Sequence, residues 1–131
     1  MTKSKVLIVE DDPELRHGLT LRLRSFGYQV VHAEDGLGAV AVARRECPDA
    51  VLLDIGLPCG DGLTVLERFS KLASLAGTPV VVLTGREPSV TQAAVEPYHV
   101  AAFLRKPANN DDLRAALAAA TGSELTPGSA G

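Results

Sequence analysis

Lys5-Val6-Leu7-Ile8-Val9-Glu10-Asp11-Asp12-Pro13-Glu14 holds the first of several apolar runs that end in acid and pass into a helix. Its first five residues make an apolar run of strand length, stopped abruptly by three acids. Asp12-Pro13 then supplies a helix start: an N-cap side chain followed by a residue whose fixed φ suits the first turn. Beyond it Leu15, Leu19, Leu23 and Phe26 recur at spacings of three or four, one apolar stripe, and Gly27 supplies a stop. The unit is a buried strand, an acidic turn and an amphipathic helix.

That unit recurs. Gln29 to Ala33 reads as a second strand, followed by a helix opened by Asp35-Gly36 and carried through Ala39, Val40 and Ala43 to Arg45, with Pro48 closing it. Ala50 to Asp54 is a third strand, then the turn-rich loop Ile55 to Gly62 and a helix from about Leu63 to Leu72, with Leu63, Leu66 and Phe69 on one side. Pro79 to Thr84 is a fourth strand, and a short helix over Ser89 to Val95 ends at Pro97. Ala101 to Arg105 is a fifth, leading to an Ala-rich helix from Asn109 to about Ala120, which Asn110, Asp111 or Asp112 is expected to cap or to favour at its amino end. Five strand-then-helix repeats imply right-handed crossovers, a parallel sheet and helices on both faces, a doubly wound α/β fold. Residues 1–120 are expected to form this domain. The Gly/Ser/Thr-rich stretch 121–131 reads as a flexible tail or the start of a linker.

A chain of 131 residues fits one domain with a substantial core. Its 46% apolar and 22% charged residues suit a globular protein rather than a disordered one. With a net charge of −3 and no basic run, nothing favours contact with nucleic acid or an anionic membrane. No apolar stretch approaches the roughly 20 residues that span a bilayer. Met1-Thr2-Lys3-Ser4 leads straight into a strand without a secretory pattern, so a cytoplasmic location is expected. Cys47 and Cys59 have neither CxxC nor zinc-ligand spacing and are expected to be free thiols.

In a parallel sheet, residues just past the carboxyl ends of the strands share one rim, where ligands bind. Here those residues are Glu10 and Asp11, Asp54, Thr84, and Lys106 before Pro107. An acid after a strand is often only a helix cap, which accounts for Asp12 but not for Glu10, Asp11 and Asp54 together. Three close carboxylates repel unless a cation lies among them. An oxygen-only set without His or Cys suits Mg²⁺ or Mn²⁺. Lys106 adds a fixed positive charge and Thr84 a hydroxyl, both suited to anionic phosphoryl oxygens. The reaction this set favours is phosphoryl transfer onto a carboxylate, with Asp54 attacking phosphorus to form an acyl phosphate. There is no G-x-S-x-G elbow, no Walker loop and no G-x-G-x-x-G.

Val-Glu-Asp-Asp at 9–12, Leu-Leu-Asp-Ile-Gly-Leu-Pro at 52–58, Leu-Thr-Gly at 83–85 and Leu-Arg-Lys-Pro at 104–107 together resemble the receiver domain of two-component response regulators. The resemblance spans about residues 5–120. It implies a flavodoxin-like sheet of five parallel strands in the order 2-1-3-4-5. It implies that Asp54 accepts a phosphoryl group from a histidine kinase or phosphotransfer protein, in a reaction requiring Mg²⁺. By the same likeness Asp11 is a direct metal ligand, Glu10 acts through water, and the Gly56 carbonyl is a further ligand. Thr84 and Lys106 take the places of the switch hydroxyl and the ion-pairing lysine. Phe103 takes that of the aromatic that turns inward when Thr84 moves, or is an ordinary core Phe. The domain would then be a signalling phosphoacceptor rather than an enzyme, switching its affinity for a downstream protein that the sequence does not name.

Several positions depart from the family's common pattern. Gly56 and Arg86 border the path of attacking water, and His99-Val100 stands where Gly-Ala is usual. An aspartyl-nucleophile phosphatase is an alternative, but it needs a second Asp where Gly56 stands. An FMN-binding relative of the same topology would meet three acids in its phosphate loop. A degenerate receiver acting only through protein contacts would not need the complete acid, Thr and Lys set.

Overall fold

A computed structural model describes residues 3–54, 61–85, 93, 95–98 and 100–122. Strands β1 (Lys5–Val9), β2 (Gln29–Ala33), β3 (Ala50–Asp54), β4 (Val80–Thr84) and β5 (Ala102–Arg105) form one parallel sheet in the order β2-β1-β3-β4-β5. Helices α1 (Pro13–Ser25), α2 (Gly36–Glu46), α3 (Asp61–Lys71) and α4 (Asn110–Thr121) connect or follow them, with a 3₁₀ turn at Glu96–Tyr98 before β5. The parallel sheet covered on both faces is the one expected from the alternating sequence, and its strand order is the one the family resemblance implied. The loop over 55–60, most of the short helix expected over Ser89 to Val95, His99, and the tail from residue 123 lie outside the described residues.

Side-chain alternation along the strands makes two cores. Leu7, Val9, Val51, Leu53, Val80 and Val82 face α2 and α3, meeting Ala39, Ala43, Val65, Leu66 and Phe69. Val6, Ile8, Leu52, Val81 and Leu83 face the other way, against Leu19 and Leu23 of α1 and Leu113 and Leu117 of α4. With both faces covered, β3 and β4 are buried along their whole length, which is why they read as unbroken apolar runs. Leu7→Ala, in the middle of β1, is expected to lower stability by about 2–5 kcal/mol. Urea denaturation measures this, and a loss below about 1 kcal/mol would contradict the tight packing described here.

Local signals set the helix ends. Asp12 caps α1, accepting from the backbone N–H groups of Glu14 and Leu15 at 2.9 and 3.3 Å, with Pro13 in the first turn. Gly27, at φ +99°, reverses the chain after it. Asp35 caps α2 through the Gly38 N–H at 2.7 Å, and a Cβ on Gly38 would stand 3.1 Å from that carboxylate. The stop of α2 is Cys47 in the left-handed conformation, φ 48°, directly before Pro48. Cys47 is a free, exposed thiol, while Cys59 lies outside the described residues.

Two expectations need correction. Asn109, rather than Asn110, Asp111 or Asp112, caps α4 by accepting from the Asp112 N–H at 2.8 Å, while Asp111 and Asp112 sit in the first turn, where acids favour the amino end as expected. Leu15 belongs to the apolar stripe by spacing but is 47% exposed. It sits in the first turn of α1, beside Pro107 and Ala108 at the rim, short of the sheet that covers Leu19 and Leu23. Among the described residues no helix is long and apolar enough to cross a membrane.

Candidate functional site

Strand register brings the rim together. Val9 lies beside Leu53 on β3, so Glu10 and Asp11 emerge next to Asp54. Asp54 pairs with Leu83, which puts Thr84 one step further along β4, and Thr84 pairs with Arg105, the residue before Lys106. Glu10, Asp11 and Asp54 each offer a carboxylate oxygen within 4.8 Å of the others. Glu10 and Asp54 are buried, whereas Asp11 is exposed and opens the cluster to solvent.

Lys106 reaches into this group. Its Nζ donates to Asp54 Oδ2 at 2.9 Å and to Glu10 Oε1 at 3.2 Å, across sequence separations that only the fold removes. The Lys106 N–H donates to the Thr84 carbonyl at 2.7 Å, anchoring the base of the side chain to the end of β4. The peptide bond that follows, Lys106–Pro107, is cis. Thr84 is fully buried. Val82 and Thr84 alternate onto the same face of the sheet, and Phe103 pairs with Val82 from β5. Phe103 is half-buried against the core shared by α2 and α3, so it is a partly packed aromatic one step from Thr84. Gly56 lies outside the described residues, as does Arg86.

Two residues that the sequence did not single out hold this arrangement in place. The Arg16 guanidinium donates to the Glu10 carbonyl at 2.9 Å, and Arg22 donates to the Ala108 carbonyl at 2.7 Å and to Asn110 Oδ1 at 2.8 Å. The second pair ties α1 to the turn after Lys106. Both arginines lie on α1, where periodicity marks them only as polar-face residues. Partners 86 and 88 residues away leave no local trace in the sequence.

Burial pushes the Glu10 carboxyl up to about 7, and the nearby Asp54 charge adds to this; the Asp12 N–H and Lys106 oppose it without cancelling it. Burial alone would lower the Lys106 ammonium, but the hydrogen bonds and charges of Asp54 and then Glu10 outweigh it and hold it above the usual lysine range. A raised carboxyl binds its proton more tightly in the folded state, so between its ordinary range and about pH 7 the metal-free fold is favoured by falling pH. A divalent cation favours the ionised carboxylate and should therefore expel that proton. Near pH 6, Mg²⁺ binding is expected to release up to about one proton, fading above pH 8. Calorimetry in buffers of different ionisation enthalpy measures this; release independent of pH would contradict it.

The donor set fits a hard divalent cation. It offers three carboxylates, no soft ligand, and an exposed side through Asp11 where water can complete the coordination.

The sequence model of the response regulator receiver domain matches residues 6–118. Protein PilH of Pseudomonas aeruginosa is 33% identical over 110 residues, covering 84% of this chain and 91% of PilH. The transcriptional regulatory protein KdpE of Mycobacterium tuberculosis is 35% identical over 115 residues, 88% of this chain but only 50% of KdpE. Among solved structures, a putative response regulator from Chloroflexus aurantiacus superposes with a TM-score of 0.86 at 27% identity, over 92% of this chain and 99% of that one. The receiver domain of a sensor histidine kinase from Pseudomonas aeruginosa, with a magnesium ion coordinated in its active-site cleft, gives a TM-score of 0.84 at 29% identity, over 93% of this chain and all of its own. The chain belongs to the response regulator receiver domains of two-component signalling.

Proposed function

We propose that Asp54 is the phosphoacceptor, taking a phosphoryl group from a histidine kinase or a phosphotransfer protein. One Asp54 oxygen attacks phosphorus as the P–N bond to the donor imidazole breaks. The imidazole, already protonated on its other ring nitrogen, keeps the P–N electron pair and leaves as the neutral ring, and an acyl phosphate remains on the chain. The observation that carries this reading is the Lys106 ammonium bridging two buried carboxylates at 2.9 and 3.2 Å. A cation so placed can leave Glu10 and Asp54 for phosphoryl oxygens when they arrive.

Glu10, Asp11, Asp54 and the Gly56 carbonyl would hold Mg²⁺, with Mn²⁺ as a substitute. Asp11 is the exposed direct ligand; Glu10, 1% exposed and already held by the Asp12 N–H at 3.2 Å, acts through water. When bound, the ion supplies charge neutralisation on the phosphoryl oxygens. Thr84 and Lys106 engage the new phosphate, and Phe103 follows Thr84 inward, changing the surface offered to a downstream protein. On this reading the domain is a switch assisting its own modification, with residues 1–120 as the receiver and 121–131 as a tail or linker start.

Beryllofluoride, a stable phosphoryl mimic, tests the switch. With Mg²⁺ it should produce a second set of NMR resonances for Thr84 and Phe103. Their failure to move while Asp54 shifts would remove both from the switch.

A further inference from the structure

A second cleft lies at the outer edge of the sheet, sharing Arg16 with the neighbourhood of Glu10. Among the described residues β2 pairs only with β1, which leaves its other side without a strand partner. α1 turns Pro13, Arg16, His17, Thr20 and Arg24 toward that side, and with His32 of β2 they line a cleft of about 350 Å³. None of the six is acidic, although the whole chain carries a net charge of −3. We propose that this cleft binds a phosphate group, either free or carried by a nucleotide.

The donors are matched to that ligand. Two guanidiniums remain charged at any working pH and present forked N–H groups suited to phosphate oxygens. Two imidazoles add N–H donors. Among the described residues no hydrogen bond or ion pair engages the Arg24, His17 or His32 side chains. Thr20 is a wall rather than a donor, because its hydroxyl already donates to the Arg16 carbonyl at 2.8 Å. Arg16 is held on its far side by the Glu10 carbonyl, which fixes its plane, and its other nitrogen stands 3.6 Å from Glu34. Glu34 is 72% exposed, a weak counter-ion that an incoming anion would displace. Four basic side chains lie around one concavity, and the exposed Glu34 carboxylate stands 3.6 Å from one of them. An anion relieves that imbalance.

The test is NMR titration of the full chain, without divalent metal, against pyrophosphate and separately against adenosine diphosphate. Expected are saturable shifts of the Thr20, Arg24 and His32 amides, with affinity about tenfold weaker in the Arg24→Ala/His32→Ala double variant. Glu34→Gln, which removes the competing carboxylate, should tighten binding. Equal affinity for the two probes identifies free phosphate as the recognised group, and tighter binding of the diphosphate nucleotide identifies the nucleotide-borne one; both support the site. Shifts that do not saturate, that are unchanged in the double variant, or that are confined to the Asp54–Lys106 pocket would overturn the proposal. None of these readouts depends on phosphorylation of Asp54, so the proposal can fail independently of the receiver reading.

Discussion

Asp54→Asn protein incubated with acetyl phosphate and Mg²⁺ is expected to take up phosphoryl groups on the order of a thousandfold more slowly than wild type, or not at all. The amide keeps the size of the carboxylate but lacks the anionic oxygen that attacks phosphorus. The fold should survive, since the strand core before Asp54 is unaltered and Lys106 retains Glu10 as a partner. Unchanged uptake in a folded Asp54→Asn variant would assign the acceptor role elsewhere.

Lys106→Ala carries the second large effect, in two opposite directions. The ammonium sits 2.9 Å from Asp54 and 3.2 Å from Glu10, competing with any metal for the same carboxylates. Its removal should tighten Mg²⁺ binding about threefold to tenfold at a pH well above 8, where Glu10 stays ionised even without the lysine that now holds its proton affinity down. It should also uncouple phosphorylation from partner binding, because the cation that follows the phosphoryl oxygens is gone. Stability near neutral pH should fall only modestly, since Glu10 can take up a proton in place of its lost partner. Weaker Mg²⁺ binding, or a normal switch in partner affinity, would contradict this account of Lys106.

Much of this was legible in the chain because the signals were local or strictly periodic. Unbroken apolar runs such as Val80 to Leu83 marked central strands, and Asp12-Pro13 marked a helix start. The acids, Thr84 and Lys106 could be placed on one rim because a parallel sheet aligns its strand ends. The misses have physical causes. Asn109 and Asn110 are both good caps by composition, and only the backbone path out of Pro107 decides between them. Leu15 has core spacing but lies beyond the sheet's reach. Arg16 and Arg22 were invisible because their value lies in partners from other elements, and a helix polar face gives no hint of such contacts. The raised proton affinity of Glu10 likewise comes from burial, a property of the fold rather than of the Glu-Asp-Asp motif.

On the proposed function, the carboxylate at the end of β3 becomes an acyl phosphate. Wild-type protein treated with acetyl phosphate and Mg²⁺, trapped by borohydride reduction and mapped by peptide mass spectrometry, tests it directly. The expected result is a reduced side chain at Asp54 alone, abolished when Mg²⁺ is chelated. Reduction at Glu10 or Asp11 instead, or at Asp54 without any need for the metal, would contradict it.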